Sequence, residues 1–336
     1  MHSELAVVDA AIIGLGRWGQ RLVNSVQADG VSNGSGIRIT SGYSRTRRNA
    51  EGFANQQGIQ LFDDVESLLR EADVSAVLIA SPHSKHVEQI IAAAEAGLHV
   101  YVEKPLALDV AGALRAVDAC SRTSRVLAVG FNRRYLPAYQ RMQDLSANGE
   151  LGQLTHVEGN FSGPFGYDYR SDNWHSSGSE TPSGGMTLMG VHILDAMIGI
   201  AGHVHRVHAR SRRLVLQIPL DDTTDVALEF NSGATGYLST STATASSWRL
   251  QVFGSAGWAH LIDEQTLIVR LIGEEPRIER FDHIDLERSE LRAFARSITS
   301  GAPSLVPVLD AVNGVIALNC VHDSVHSGQP ALLEHA

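Results

Sequence analysis

The residues with the clearest chemistry form one short run, Gly14-Leu15-Gly16-Arg17-Trp18-Gly19. Three glycines at this spacing, between an apolar stretch and a helical one, suit a turn that delivers a diphosphate to a helix start. Gly14 permits the turn, Gly16 lets the backbone approach the phosphates, and Gly19 lets helix and strand pack closely. Free N–H groups at the helix start, with Arg17 and Trp18 in its first turn, favour negative charge there. Further on comes Ser44-Arg45-Thr46-Arg47-Arg48, with no carboxylate before Glu51. A site for NAD usually has Asp or Glu at this point, to accept from the ribose 2′-hydroxyl. A hydroxyl at Ser44 and a guanidinium at Arg45 suit a 2′-phosphate instead. NADP is therefore expected to be preferred, with NAD bound through other contacts as the alternative.

These groups need a scaffold, and the first 130 residues supply one. Apolar, β-rich runs at 7–13, 37–43, 74–80, 98–102 and 126–130 alternate with helical stretches at 17–27, 47–57, 87–96 and 111–121. Strict alternation of short buried strands with helices predicts a parallel sheet covered on both faces. After Phe131 the pattern changes to strands at 155–161, 205–216, 224–230, 235–240, 249–253, 258–262 and 267–271. Hairpin-like turns such as Asn231-Ser232-Gly233 join several of them. Helices at 191–200 and 286–300 are expected to flank this mainly antiparallel sheet, with a last helix at 308–325. The fold class is α/β: an N-terminal Rossmann domain over residues 1–130, then a C-terminal α+β domain over 131–336.

Bulk properties narrow the function. The chain has 336 residues, 43% of them hydrophobic and 19% charged, enough for two cores. A net charge of −10 and a pI near 5.8 disfavour phosphate backbones and anionic lipid surfaces. Neither nucleic acid nor membrane is expected as a partner. Cys120 and Cys320 stand alone in the sequence and read as reduced thiols of a cytoplasmic protein. Residues 1–8 contain Glu4 and no long apolar core, so no signal peptide is expected there. His203 and His205, and His322 and His326, have no sequence pattern that completes a tetrahedral ligand set, and no metal is expected.

Two strand ends carry a family likeness. One reads Ala80-Ser81-Pro82-His83-Ser84-Lys85-His86, the other His99-Val100-Tyr101-Val102-Glu103-Lys104-Pro105. Together with Gly130-Phe131-Asn132-Arg133-Arg134-Tyr135, Gly184-Gly185-Met186 and Gly190-Val191-His192-Ile193-Leu194-Asp195, the chain resembles the Gfo/Idh/MocA oxidoreductases. The resemblance spans nearly the whole chain. It implies hydride transfer between a nicotinamide and a sugar, polyol or cyclic alcohol or ketone. It also implies that Lys104 and His192 face the substrate beside the nicotinamide, brought together between the domains. Ser81, Pro82 and His86 would line the ribose side of the cofactor, and Glu103 with Pro105 would shape the strand end. Family sheets often pack against another subunit, so a homodimer or homotetramer is expected. The alternation of Val226, Leu228 and Phe230 points the same way, since helices too few to cover both faces would leave an apolar face open.

The pair makes chemical sense. Oxidising an alcohol requires a base for the hydroxyl proton, and histidine has a suitable ordinary pKa. A lysine ammonium stabilises charge developing on the same oxygen. The chain departs from the resemblance at Leu188, four residues before His192, where many members have Asp. Asp195, three residues after His192, could lie near it in a helix. In the loop at 167–175, Asn173 and Trp174 fall where the family often contacts substrate; exposed residues without a role are the other reading. Two rival functions are a non-catalytic dinucleotide-sensing regulator and a redox-assisted glycosidase.

Overall fold

A computed structural model describes residues 7–28, 31–170 and 174–333. The N-terminal segment 1–6 and the expected substrate contact Asn173 lie outside the described residues. The chain divides into two units, one formed by residues 1–107, 111–132 and 284–308, the other by 108–110, 133–283 and 309–336.

In the first unit, strands β1 (Val8–Ile13), β4 (Ile37–Tyr43), β5 (Gln60–Leu61), β6 (Ala76–Ile79), β7 (His99–Glu103) and β8 (Leu127–Gly130) form a six-stranded sheet in the order β5-β4-β1-β6-β7-β8. Every pair in it is parallel. Its strands read as continuous apolar runs because helices cover both faces of such a sheet. The helices are α1 (Arg17–Val26), α2 (Arg47–Gln57), α3 (Val65–Glu71), α4 (His86–Glu95) and α5 (Val110–Arg122). A small ladder of β2 (Gln27–Ala28) and β3 (Val31–Ser32) lies at the end of α1. Helix α3 begins at Asp64, whose carboxylate caps the Ser67 N–H at 2.7 Å.

The second unit carries a nine-stranded sheet in the order β16-β15-β14-β13-β9-β12-β11-β10-β17. Its members are β9 (Leu154–Ser162), β10 (Val204–Arg212), β11 (Thr223–Phe230), β12 (Thr235–Ser241), β13 (Ser247–Gly254), β14 (Gly257–Leu261), β15 (Thr266–Leu271), β16 (Arg277–Arg280) and β17 (Ala331–Leu332). All pairs are antiparallel except β9 with β12. Helices α6 (Pro137–Ala147), α7 (Val191–Ala201) and α9 (Val308–Ser327) belong to this unit, the first residue of α9 excepted.

Three expectations need correcting. Helix α8 (Leu286–Ser300) does not flank the antiparallel sheet. Its Leu291, Phe294 and Ala295 are buried in one cluster with Ile12, Leu78 and Tyr101 of the parallel sheet. The strand expected at 205–216 stops at Arg212, because the buried Asp222 carboxylate accepts the Leu214, Val215 and Leu216 N–H groups and curls the chain into a loop. The apolar alternation on β11 faces inward: Val226, Leu228 and Phe230 are buried, and a Cβ at Gly236 would meet Phe230, Leu228 and Met197 of α7. The face expected to stay open is the covered one. The outward positions instead include His156, Glu158 and Arg249, the last two 3.4 Å apart. Among the described residues no helix is long and apolar enough to cross a membrane.

Candidate active site

The glycine turn follows β1 directly. Gly14 has φ +102°, and a Cβ there would come within 2.5 Å of the Ala80 carbonyl oxygen at the end of β6. Its N–H donates to the Tyr43 carbonyl at 2.8 Å, so the turn is tied to the end of β4 as well. Gly19 packs onto the same turn, where an added Cβ would lie 1.9 Å from the Gly14 carbonyl oxygen. Gly16 differs, since a Cβ there would meet nothing within 4 Å. Gly16 is also the N-cap of α1, with no side chain capping the helix and no acidic residue in its first turn. An open backbone above an uncapped helix start fits a dinucleotide diphosphate, and the residues present suit that group.

Around this turn the candidates divide into exposed groups and groups that work from behind. Ser44 is half-buried and Arg45 exposed just past β4. Arg47 is engaged by Asp63 at 2.6 Å, whereas among the described residues no ion pair involves Arg45 or Arg48. Ser81 donates to the Gln89 side chain at 2.6 Å. His86 has no exposed surface; its Nδ1 lies 2.8 Å from the Pro105 carbonyl and its Nε2 3.1 Å from the Ser81 carbonyl. It therefore joins the loops after β6 and β7 from within. Glu103 is likewise buried and accepts the Tyr101 hydroxyl at 3.1 Å. Burial pushes the Glu103 carboxyl above the usual range, although the neighbouring Trp18 indole, the Lys104 charge and the Tyr101 hydroxyl oppose it. Trp18 stays 37% exposed, with the Arg21 guanidinium 5.8 Å from its ring centre. Lys104 is half-buried at the end of β7 and precedes Pro105 through a cis peptide bond.

In the second unit, His192 is the second residue of α7 and 8% exposed, with the Phe161 ring 5.8 Å away. A π-helical turn, Met186–Gly190, leads straight into α7. Such turns re-aim side chains and recur at functional sites. Leu188 lies buried within it. Asp195 is committed elsewhere: Arg134 holds it through two hydrogen bonds of 2.7 and 2.8 Å, both side chains fully interior. Asp310 accepts from the same guanidinium at 3.1 Å and meets His203 Nε2 at 3.1 Å. Burial raises the Asp195 carboxyl despite Arg134. Asp195 is thus a partner of Arg134, while Pro182 and the His322 carbonyl engage His322 and His326. Trp174 stacks on His175 at 3.7 Å, and Tyr169 lies parallel to His175 at 5.6 Å.

Sequence reasoning passed over Tyr101, Glu287 and Glu290. Glu287 accepts from Arg21 at 2.8 Å and from Asn132 at 3.2 Å. Glu287 and Glu290 lie three apart on the same stripe of α8 as Leu291 and Phe294, all buried. Carboxylates within an apolar stripe were the available signal.

A Rossmann sheet with its glycine turn, followed by a mixed α+β unit, defines a two-domain dinucleotide-dependent oxidoreductase. Residues 8–131 match the oxidoreductase family model with NAD-binding Rossmann fold, and residues 139–260 match the GFO/IDH/MocA C-terminal domain. The chain is 30% identical over 276 residues to myo-inositol 2-dehydrogenase of Thermotoga maritima, covering 76% of this chain and 78% of that protein. It is 28% identical over 302 residues to D-xylose 1-dehydrogenase (NADP+) 2 of Haloferax volcanii, covering 87% and 90%. The crystal structure of an NAD-binding oxidoreductase from Klebsiella pneumoniae superposes with a TM-score of 0.87 at 21% identity, covering 98% of this chain and 100% of that one, and shows the shared fold. This chain belongs to the Gfo/Idh/MocA family and is an NAD(P)-dependent oxidoreductase.

Proposed function

We propose that the chain is an NADP-preferring dehydrogenase or reductase of a sugar, polyol or cyclic alcohol or ketone. The observation that carries the cofactor assignment is the open Gly16 backbone at the uncapped start of α1. The exposed Arg45 guanidinium beside Ser44, without a carboxylate partner among the described residues, supports the 2′-phosphate preference. Relatives named for inositol and xylose support the substrate class.

When bound, the nicotinamide supplies a hydride acceptor or donor. In this reading Lys104 stabilises negative charge on the substrate oxygen, and His192 takes or returns its proton. Trp174 contributes a flat, partly exposed surface on the substrate side. Assembly into a homodimer or homotetramer through residues 150–275 rests on the family likeness alone, now that the β11 apolar face is interior. Two buried thiols, Cys120 and Cys320, each pushed up to about 11 by burial, suit a reducing cytoplasm.

The test is a panel of polyols, sugars and their keto forms, assayed with both nicotinamides by absorbance. Turnover of a cyclic polyol or sugar, faster with NADP(H), is the expected result. Clear cofactor binding with no turnover across the panel would favour a sensing role. Turnover of a glycoside with no net change in nicotinamide would favour hydrolysis through transient oxidation.

A further inference from the structure

Two buried charges of the second unit meet on the helix that carries His192. Along α7, Asp195, Ala196 and Gly199 follow His192 by three, four and seven residues, so all four share one stripe. A guanidinium grips that stripe. Arg134, in the 3-10 turn Asn132–Tyr135, donates to Asp195 from Nε at 2.7 Å and from Nη2 at 2.8 Å. Asp310 accepts from the same Nη2 at 3.1 Å and holds the fork from the other side. Gly199, one turn beyond Asp195, is the notch in which the guanidinium lies. A Cβ there would stand 2.0 Å from Arg134 Nη1 and 2.5 Å from the Tyr139 oxygen. Helix α6 adds two contacts to the same stretch. The Tyr139 hydroxyl donates to the Ala196 carbonyl at 3.0 Å, and the Gln143 side chain donates to the Gly199 carbonyl at 2.8 Å.

Helix α7 needs such a grip because its start does not define its rotation. It is entered through the π-helical turn Met186–Gly190, whose bonds run one residue longer than those of an α-helix. No side chain among the described residues caps either segment. Leu188, four residues before His192, has no polar side chain with which to orient the ring. Rotation matters through leverage. A side-chain tip lies about 5–6 Å from a helix axis, so a turn of about 10° carries it through about 1 Å. Misplacing a reacting group by about 1 Å costs on the order of a hundredfold in rate.

We propose that Arg134, through its fork on Asp195, is a positioning residue that sets the rotation of α7 and so aims the His192 ring at the substrate oxygen. Arg134 itself touches no reacting atom. A planar fork suits the task better than a point charge, because two parallel hydrogen bonds fix orientation as well as distance. The effect on turnover rests on His192 as the proton acceptor, whereas the grip on α7 is independent of that reading.

The experiment uses three variants of the full chain. Arg134→Lys keeps the charge and loses the fork. Asp195→Asn keeps the shape and one acceptor, and Gly199→Ala keeps both partners but pushes the guanidinium out of its notch. Test substrates are myo-inositol, D-xylose and the rest of the panel with NADP+, and the one that wild type oxidises fastest is kept. Rates are read at a temperature where circular dichroism shows each variant folded. Each variant should lose on the order of a hundredfold in kcat, with KM and NADPH affinity within about threefold of wild type. In parallel, ring resonances of isotope-labelled histidines are recorded without substrate or cofactor, His192 being assigned by its loss in His192→Ala. The His192 signals should move or split in every variant, while those of His156 on β9 and His260 on β14 stay in place. A kcat within about threefold of wild type in either Arg134→Lys or Asp195→Asn, or His192 signals that do not move, would overturn the proposal. Movement of every histidine signal together would also overturn it, by showing a general loosening of the unit. A wild type inert across the whole panel would overturn the functional reading, and the ring resonances would still decide the grip on α7.

Discussion

Replacing Gly16 and Gly19 separately by alanine should split cofactor binding from folding. The Gly16 backbone is extended, with φ −73° and ψ −172°, so alanine fits without strain. Its methyl would touch nothing in the protein. Alanine is a poorer N-cap than glycine but restricts the unfolded chain, and the two effects cancel to within about 0.5 kcal/mol. The same methyl stands where the diphosphate must approach, so affinity should fall by about tenfold or more, roughly 1.4 kcal/mol. At Gly19 the opposite holds. The new Cβ would be 1.9 Å from the Gly14 carbonyl oxygen and 3.4 Å from Ile12, and a backbone oxygen cannot swing aside. Helix propensity returns about 1 kcal/mol, whereas forced overpacking costs roughly 1–3 kcal/mol or more. Net destabilisation should reach about 1–2 kcal/mol, seen as a lower melting temperature without ligand. Thermal melts and calorimetric titration with NADPH and NADH read both quantities. The reasoning is refuted if Gly16→Ala binds either dinucleotide like wild type, or if Gly19→Ala melts at the wild-type temperature.

Other outcomes follow from the same structure. Arg45→Asp should erase or reverse the preference for NADP(H), because a carboxylate repels the 2′-phosphate; a wild type that binds NAD(H) about tenfold more tightly would contradict the assignment. Asp195→Ala leaves the Arg134 guanidinium buried with Asp310 as its remaining carboxylate, and should cost about 3–5 kcal/mol in chemical denaturation. Burial raises the Asp222 carboxyl, but the Leu216, Val215 and Leu214 N–H groups outweigh it and hold the group below its ordinary range. Its contribution is therefore present above the ordinary aspartate pKa and lost as pH falls through the depressed folded value. Asp222→Ala should lower stability near neutral pH and flatten the acid limb of the stability curve, checked by melting temperature against pH.

The phosphate turn was legible because its requirements are local. A positive φ at Gly14, an open Gly16 and a close-packed Gly19 all concern one strand-turn-helix. The strand and helix order was legible for a related reason, since periodicity and apolar runs are properties of short windows. Packing partners were not. Nothing within residues 286–300 says which of two sheets the helix will cover, and its buried Glu287 and Glu290 acquire meaning only beside Arg21 and Tyr101. The inward turn of Val226, Leu228 and Phe230 depends on α7, which supplies Met197 from an earlier part of the chain. Asp195 looked available to His192 at helical spacing, yet its partner lies 61 residues upstream. The apolar stretch after Arg212 has the composition of a strand, and one aspartate eight residues beyond Leu214 overrides it.

The most direct test of the central claim is the steady-state rate of His192→Ala, measured with dinucleotide affinity on the best substrate from the panel, with Lys104→Ala alongside. Loss of a positioned proton acceptor should lower kcat by roughly a hundredfold to ten-thousandfold, with cofactor affinity little changed for His192→Ala. Lys104→Ala should lose a comparable factor, with some weakening of cofactor binding because its strand β7 pairs with β6, against whose end the Gly14 turn packs. A kcat for His192→Ala within about threefold of wild type would contradict the account.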